Sequence, residues 1–142
     1  KVELAQKSDA AMVKMMELNT TYIMANLWRA RANAIIDSDK TKGLAVPFYE
    51  KYIELAISDK EKNKKELIEC YLNLGLYYLA YAPIKDEAKG KGYFDKVSEL
   101  DPENATIKRW NEQNAPAAAP VVAPPKAAAA PAKPAATAVK KK

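Results

Sequence analysis

The sequence predicts an all-α protein of antiparallel helix pairs with a disordered C-terminal tail, and three observations carry that prediction. Apolar residues recur at helical spacing, strand-like alternation is absent, and only four glycines interrupt 142 residues. A block of the form apolar-x-Lys-apolar-x-Glu-Leu occurs three times, beginning at Met12, Tyr49 and Phe94. The composition breaks at residue 115, after which 28 residues hold 13 Ala, 6 Pro and 5 Lys, with no acid, aromatic or glycine. Such a tail cannot offset its ordering entropy.

Each element is set by local signals. A first helix is expected near Val2–Leu18, its buried stripe drawn from Leu4, Ala11, Met12, Met15 and Leu18. Asn19 and Thr20 break it and cap a second helix from about Thr21 to Ile36. The polar turn Asp37 to Thr41 comes next, with Thr41 expected to cap a third helix reaching Leu55. Residues 58–65 form a charged loop. A long helix then runs to Tyr81 and halts before Pro83, because proline disfavours helix in the residue ahead of it. Asp86 caps a helix to Leu100, and Asp101-Pro102-Glu103 opens a capping helix over 102–113.

The recurring block makes this a repeat protein. Its offsets are 37 residues from Lys14 to Lys51 and 45 from Lys51 to Lys96. The blocks resemble the second helix of a tetratricopeptide repeat. Tyr71-Leu72-Asn73-Leu74-Gly75-Leu76-Tyr77-Tyr78 resembles the first helix of that family, and Phe94 through Pro102 its second helix and closing Asp-Pro. Longer turns, and a longer loop at 58–65, account for spacings beyond the family's usual period. The resemblance implies a right-handed superhelix, an α-solenoid, over residues 1–114: a partial first unit, two further units and the capping helix. It also implies that the chain is the end of a longer array or part of a larger assembly, because the first block lacks its partner helix.

Two registers remain in play. Gly90 or Ala88 fills the small position of the last second helix. In the middle unit, setting Ala30 opposite Gly75 brings Asn26, Arg29 and Asn33 to core positions. Turning Trp28, Ala32 and Ile35 inward suits the hydrophobic pattern better and is the register adopted. Arg31 then falls among Met24, Leu27, Trp28 and Ile35, where it is expected to snorkel or pair with an acid of a neighbouring helix.

Composition excludes much chemistry. There is no histidine, which removes the common general base and the usual metal ligand. Cys70 is the only cysteine and reads as a small core residue. The glycines at 90 and 92 lack the strand and further glycine of a phosphate loop. Asp37 and Asp39 read as an ordinary turn. No enzyme activity, cofactor, metal or small-molecule substrate is expected, and nucleic acid is not the expected partner. The tail's five lysines equal the net charge of +5 of the whole chain; without them, 18 basic residues face 18 acids.

In the family the sequence resembles, first helices line a concave surface that binds peptides and proteins. Two stripes there are the expected partner-binding residues: Asn26, Arg29 and Asn33, and Glu66, Glu69 and Asn73. Amide and guanidinium groups suit an extended peptide. The alternative is attachment to a surface or polyanion through Lys126, Lys133 and Lys140 to Lys142. Turn length and tail are similar to those of bacterial envelope proteins, which implies a periplasmic or envelope location, the alternative being cytoplasmic.

Overall fold

The computed structural model describes residues 1–115. The tail expected to be disordered, apart from Ala115, lies outside the described residues. Six α-helices succeed one another: α1 Val2–Leu18, α2 Met24–Ile36, α3 Val46–Ala56, α4 Lys64–Leu76, α5 Glu87–Leu100 and α6 Ala105–Asn114, with no strand among the described residues. Each packs against the next, so the chain is a row of antiparallel hairpins. The core runs through the row, with Leu27, Tyr52, Leu67, Cys70, Leu74 and Val97 fully buried.

On α1 the expected stripe is corrected. Leu4 and Leu18 are 71% and 87% exposed, and Ala5, not Leu4, is buried. Apolar residues cover a broad arc of this helix, and polar contacts decide which part faces α2. Asp9 binds Arg29 and Asn33, and that anchor turns the Leu4 side outward.

The adopted register of α2 fails at Trp28 and Ile35 and holds at Ala32. Trp28 and Ile35 are 43% and 48% exposed, whereas Ala25, Asn26, Leu27, Ala30 and Ala32 are buried. Ala30 is the counterpart of Gly75 after all. Close helix packing leaves room inside for the alanines, the short Asn26 and Leu27, while Trp28 and Ile35 lie at the surface.

Helix starts differ where side chains wind extra turns. Asn19 accepts from the N–H and hydroxyl of Thr21 at 3.1 and 2.9 Å, which delays α2 to Met24. Asp39 engages Thr41 in the same way, so Thr41 caps no helix and α3 begins at Val46, with Pro47 in its first turn. The capping helix begins at Ala105 rather than 102. Asn104 accepts from the N–H groups of Thr106 and Ile107, while Asp101 and Pro102 form a turn. Asp86 caps α5 as expected, accepting from Lys89 N at 2.9 Å.

At its end α4 widens into a π-type turn over Tyr77–Tyr81, where Ala82 N donates to Tyr77 O at 2.8 Å before Pro83 stops the helix. Gly90, not Ala88, fills the small position of α5. A Cβ on Gly90 would lie 2.5 Å from Leu79, and one on Gly75 would overlap the Phe94 ring. Ile107 and Trp110 cover this end, with Trp110 edge-on to Phe94 at 5.4 Å.

Candidate functional site

The first helices of the two complete units, α2 and α4, meet through one ion pair. Arg31 donates from Nε to Glu69 Oε1 at 2.7 Å and from Nη2 to Oε2 at 2.6 Å. Both side chains are about one-third exposed. The guanidinium also lies 4.7 Å from the centre of the Trp28 ring. Hydrogen bonding to Glu69 raises the pKa of Arg31 above its already high ordinary value. The sequence expected a neighbouring acid for Arg31, and Glu69 is that acid.

The six expected binding residues take different places. Asn26 is buried. Arg29 donates to Asp9 through Nε at 2.9 Å and Nη2 at 3.4 Å, and Asn33 Nδ2 reaches Asp9 Oδ1 at 3.0 Å. Arg29 also stacks 4.2 Å from the Phe48 ring, so one side chain ties α1, α2 and α3 together. Glu66 borders a depression with Ile23, Met24 and Leu55. Asn73, one turn beyond Glu69, donates to the Glu69 carbonyl at 2.9 Å. The structure thus brings Glu69 together with Arg31 and, through Arg31, Trp28, both of which the sequence stripes had left out. The signal for Arg31 was its charge within an apolar arc; Trp28 was hidden by the register.

Other reactive groups are occupied or quenched. Burial pushes the Cys70 thiol far above its ordinary value, so it holds no thiolate near neutrality. Asp37 is buried and accepts from the N–H groups of Lys42 and Leu44, which fixes the turn before α3. Tyr93 of α5 packs against Tyr71 and Tyr78, at 6.2 and 6.1 Å between ring centres. Glu50 accepts from Tyr93 Oη at 3.1 Å and from Lys89 Nζ at 3.0 Å, and Lys89 also donates to Tyr78 Oη at 2.7 Å.

Burial raises the phenols of Tyr52 and Tyr93 to about 12, with nearby carboxylates adding to it. The neutral phenol is the form the fold favours. Their contribution to stability is therefore complete below about pH 10, the ordinary value, and is lost as pH rises towards 12. Urea midpoints are expected to fall across that window, and less steeply in a Tyr52→Phe, Tyr93→Phe double variant.

No described helix is long and apolar enough to cross a membrane. No family model matches the sequence, and no curated protein matches it. Among solved structures, the C-terminal part of a TPR repeat-containing protein from Cytophaga hutchinsonii is similar, with a TM-score of 0.69 and 37% identity over 74% of this chain. The chain spans 40% of the length of that structure. That fold is one of protein–protein interaction scaffolds in general. The threefold block, the stacked hairpins and this likeness give the chain a tetratricopeptide-repeat-like fold.

Proposed function

We propose that the chain is a non-catalytic scaffold that binds an extended segment of a partner protein along the face where α2 meets α4. The observation that supports this reading is the Arg31–Glu69 pair, open to solvent and flanked by Trp28 and Asn73. Tryptophan and arginine dominate binding energy at protein interfaces, and an amide beside a charge pair suits a peptide backbone. Of the expected residues, Glu69 and Asn73 keep a binding role, and Glu66 extends the same helix face. Arg29 and Asn33 hold α1 in place, so substituting them reports on folding as well as on binding.

The test is recovery of partner protein by immobilised chain from lysate of its own source. An Arg31→Ala, Glu69→Ala double variant is expected to lower recovery at least ~10-fold, as loss of an interface centre does. Deleting 115–142 is expected to leave recovery unchanged. The reverse result, with binding that collapses between low and moderate salt, would establish the tail as the attaching element. The envelope location belongs to this proposal, supported by turn length and tail composition; fractionation that finds the chain only in cytoplasm overturns it.

A further inference from the structure

We propose that the groove between α1 and α2 is the seat of one more helix of the same polypeptide, which precedes α1 as α2 precedes α3 and α4 precedes α5. The groove is walled by Leu4, Ala5 and Ser8 of α1 and by Trp28, Ala32 and Ile35 of α2. Among the described residues, half of the large apolar side chains that reach solvent stand on these two helices: Val2, Leu4, Met15, Leu18, Trp28 and Ile35. A continuous open face of that kind marks a contact surface.

Equivalent positions along the row show what covers such a face. The recurring block sets Met15 of α1 level with Tyr52 of α3 and Val97 of α5. Tyr52 and Val97 are 0% exposed, whereas Met15 is 41% exposed. Leu18 repeats the contrast, at 87% against 39% for its counterpart Leu55. α3 is packed between α2 and α4, and α5 between α4 and α6, while the helix packed against α1 is α2, which follows it. The cover that α3 and α5 have in addition is a preceding helix.

The two preceding helices that the structure does contain define the size and chemistry of this third one. α2 and α4 are each 13 residues long. Gly75 of α4 meets Phe94, the counterpart of Met12, so closely that a Cβ would overlap the ring, and on α2 its counterpart is the fully buried Ala30. No acid lines the groove among the described residues; its cations are Lys1 and Arg31, and Arg31 is bound to Glu69. The helix therefore has about 13 residues, a Gly or Ala opposite Met12, and an apolar face towards Leu4, Met15 and Trp28. Burial of such paired stripes is what holds one repeat on the next.

Methionine oxidation by dilute hydrogen peroxide reads the cover, with the protein purified from its own source compared with residues 1–142 alone. Met15 is expected to form its sulfoxide several-fold more slowly in the source protein, while Met24, outside the groove, reacts alike in both. Mass spectrometry of the source polypeptide is expected to find at least about 20 residues, a helix and a turn, before Lys1. Equal reactivity of Met15 in the two proteins overturns the proposal, as does equal slowing at Met15 and Met24. Protection of Met15 in a polypeptide that starts at Lys1 also overturns it, because the cover is then a second copy or another protein. Met15→Lys gives an independent reading. It is expected to lower the Tm of the source protein and to leave that of residues 1–142 alone unchanged, since a charge is costly only where water is excluded; no change in either decides against the cover. Partner recovery at the α2–α4 face does not depend on Met15, so either reading can fail while the other stands.

Discussion

Tyr52→Ala is expected to cost about 3–5 kcal/mol, the range for removing a fully buried aromatic. Tyr52 is 0% exposed and belongs to the cluster that joins Leu27 of α2, Ala56 of α3, and Leu67 and Cys70 of α4. No neighbour can refill that volume without parting two helix pairs. Its hydroxyl adds little: the bond to Asn63 Oδ1 is 3.4 Å long, and Tyr52→Phe should cost about 0.5–1.5 kcal/mol at most. Against a typical total of about 5–15 kcal/mol, the alanine variant loses a large share of the stability. Urea titration followed by far-UV CD measures both. A cost below about 1 kcal/mol for Tyr52→Ala would mean that α3 is not packed between α2 and α4.

Gly75→Val is expected to destabilise by about 1–3 kcal/mol or more, and Gly92→Ala to stabilise by about 0.5–1 kcal/mol. Both glycines sit inside helices, so propensity alone predicts a gain for alanine at each. Packing separates them. A Cβ at Gly75 would strike the Phe94 ring and lie 3.3 Å from the Gly90 carbonyl, while one at Gly92 meets nothing within 4 Å. Thermal melts of the two variants should therefore move in opposite directions. A gain for Gly75→Val would show that α4 and α5 are further apart than the structure places them.

Helix existence and order were legible because they depend on local pattern. The period of the apolar residues, Pro83 and Asp86 fix where α4 ends and α5 begins without reference to the rest of the chain. The alignment of Lys14, Lys51 and Lys96 carried the repeat. What was not legible was rotation. On α1 and α2 the apolar arc is wide enough to admit two orientations, and hydrophobicity favours the one that buries Trp28. The contact that decides, Asp9 with Arg29, is made between groups 20 residues apart in the chain. The same choice of rotation set Arg29 and Asn33 facing outward and Trp28 inward, whereas Arg29 and Asn33 bond Asp9 and Trp28 is 43% exposed. The capping start was misplaced for a different reason: Pro102 is compatible with a turn or a first helical position, and Asn104 settled the choice.

The Arg31–Glu69 bond joins α2 to α4 across α3, so it spans a full repeat. A tie of that length behaves as a stop on bending. While it is closed, the two hairpins keep one mutual angle; a segment that claimed Glu69 for itself would free that angle and let the row flex. In that event curvature, rather than any single contact, would be the quantity through which occupancy at this face is felt at the far end of the array.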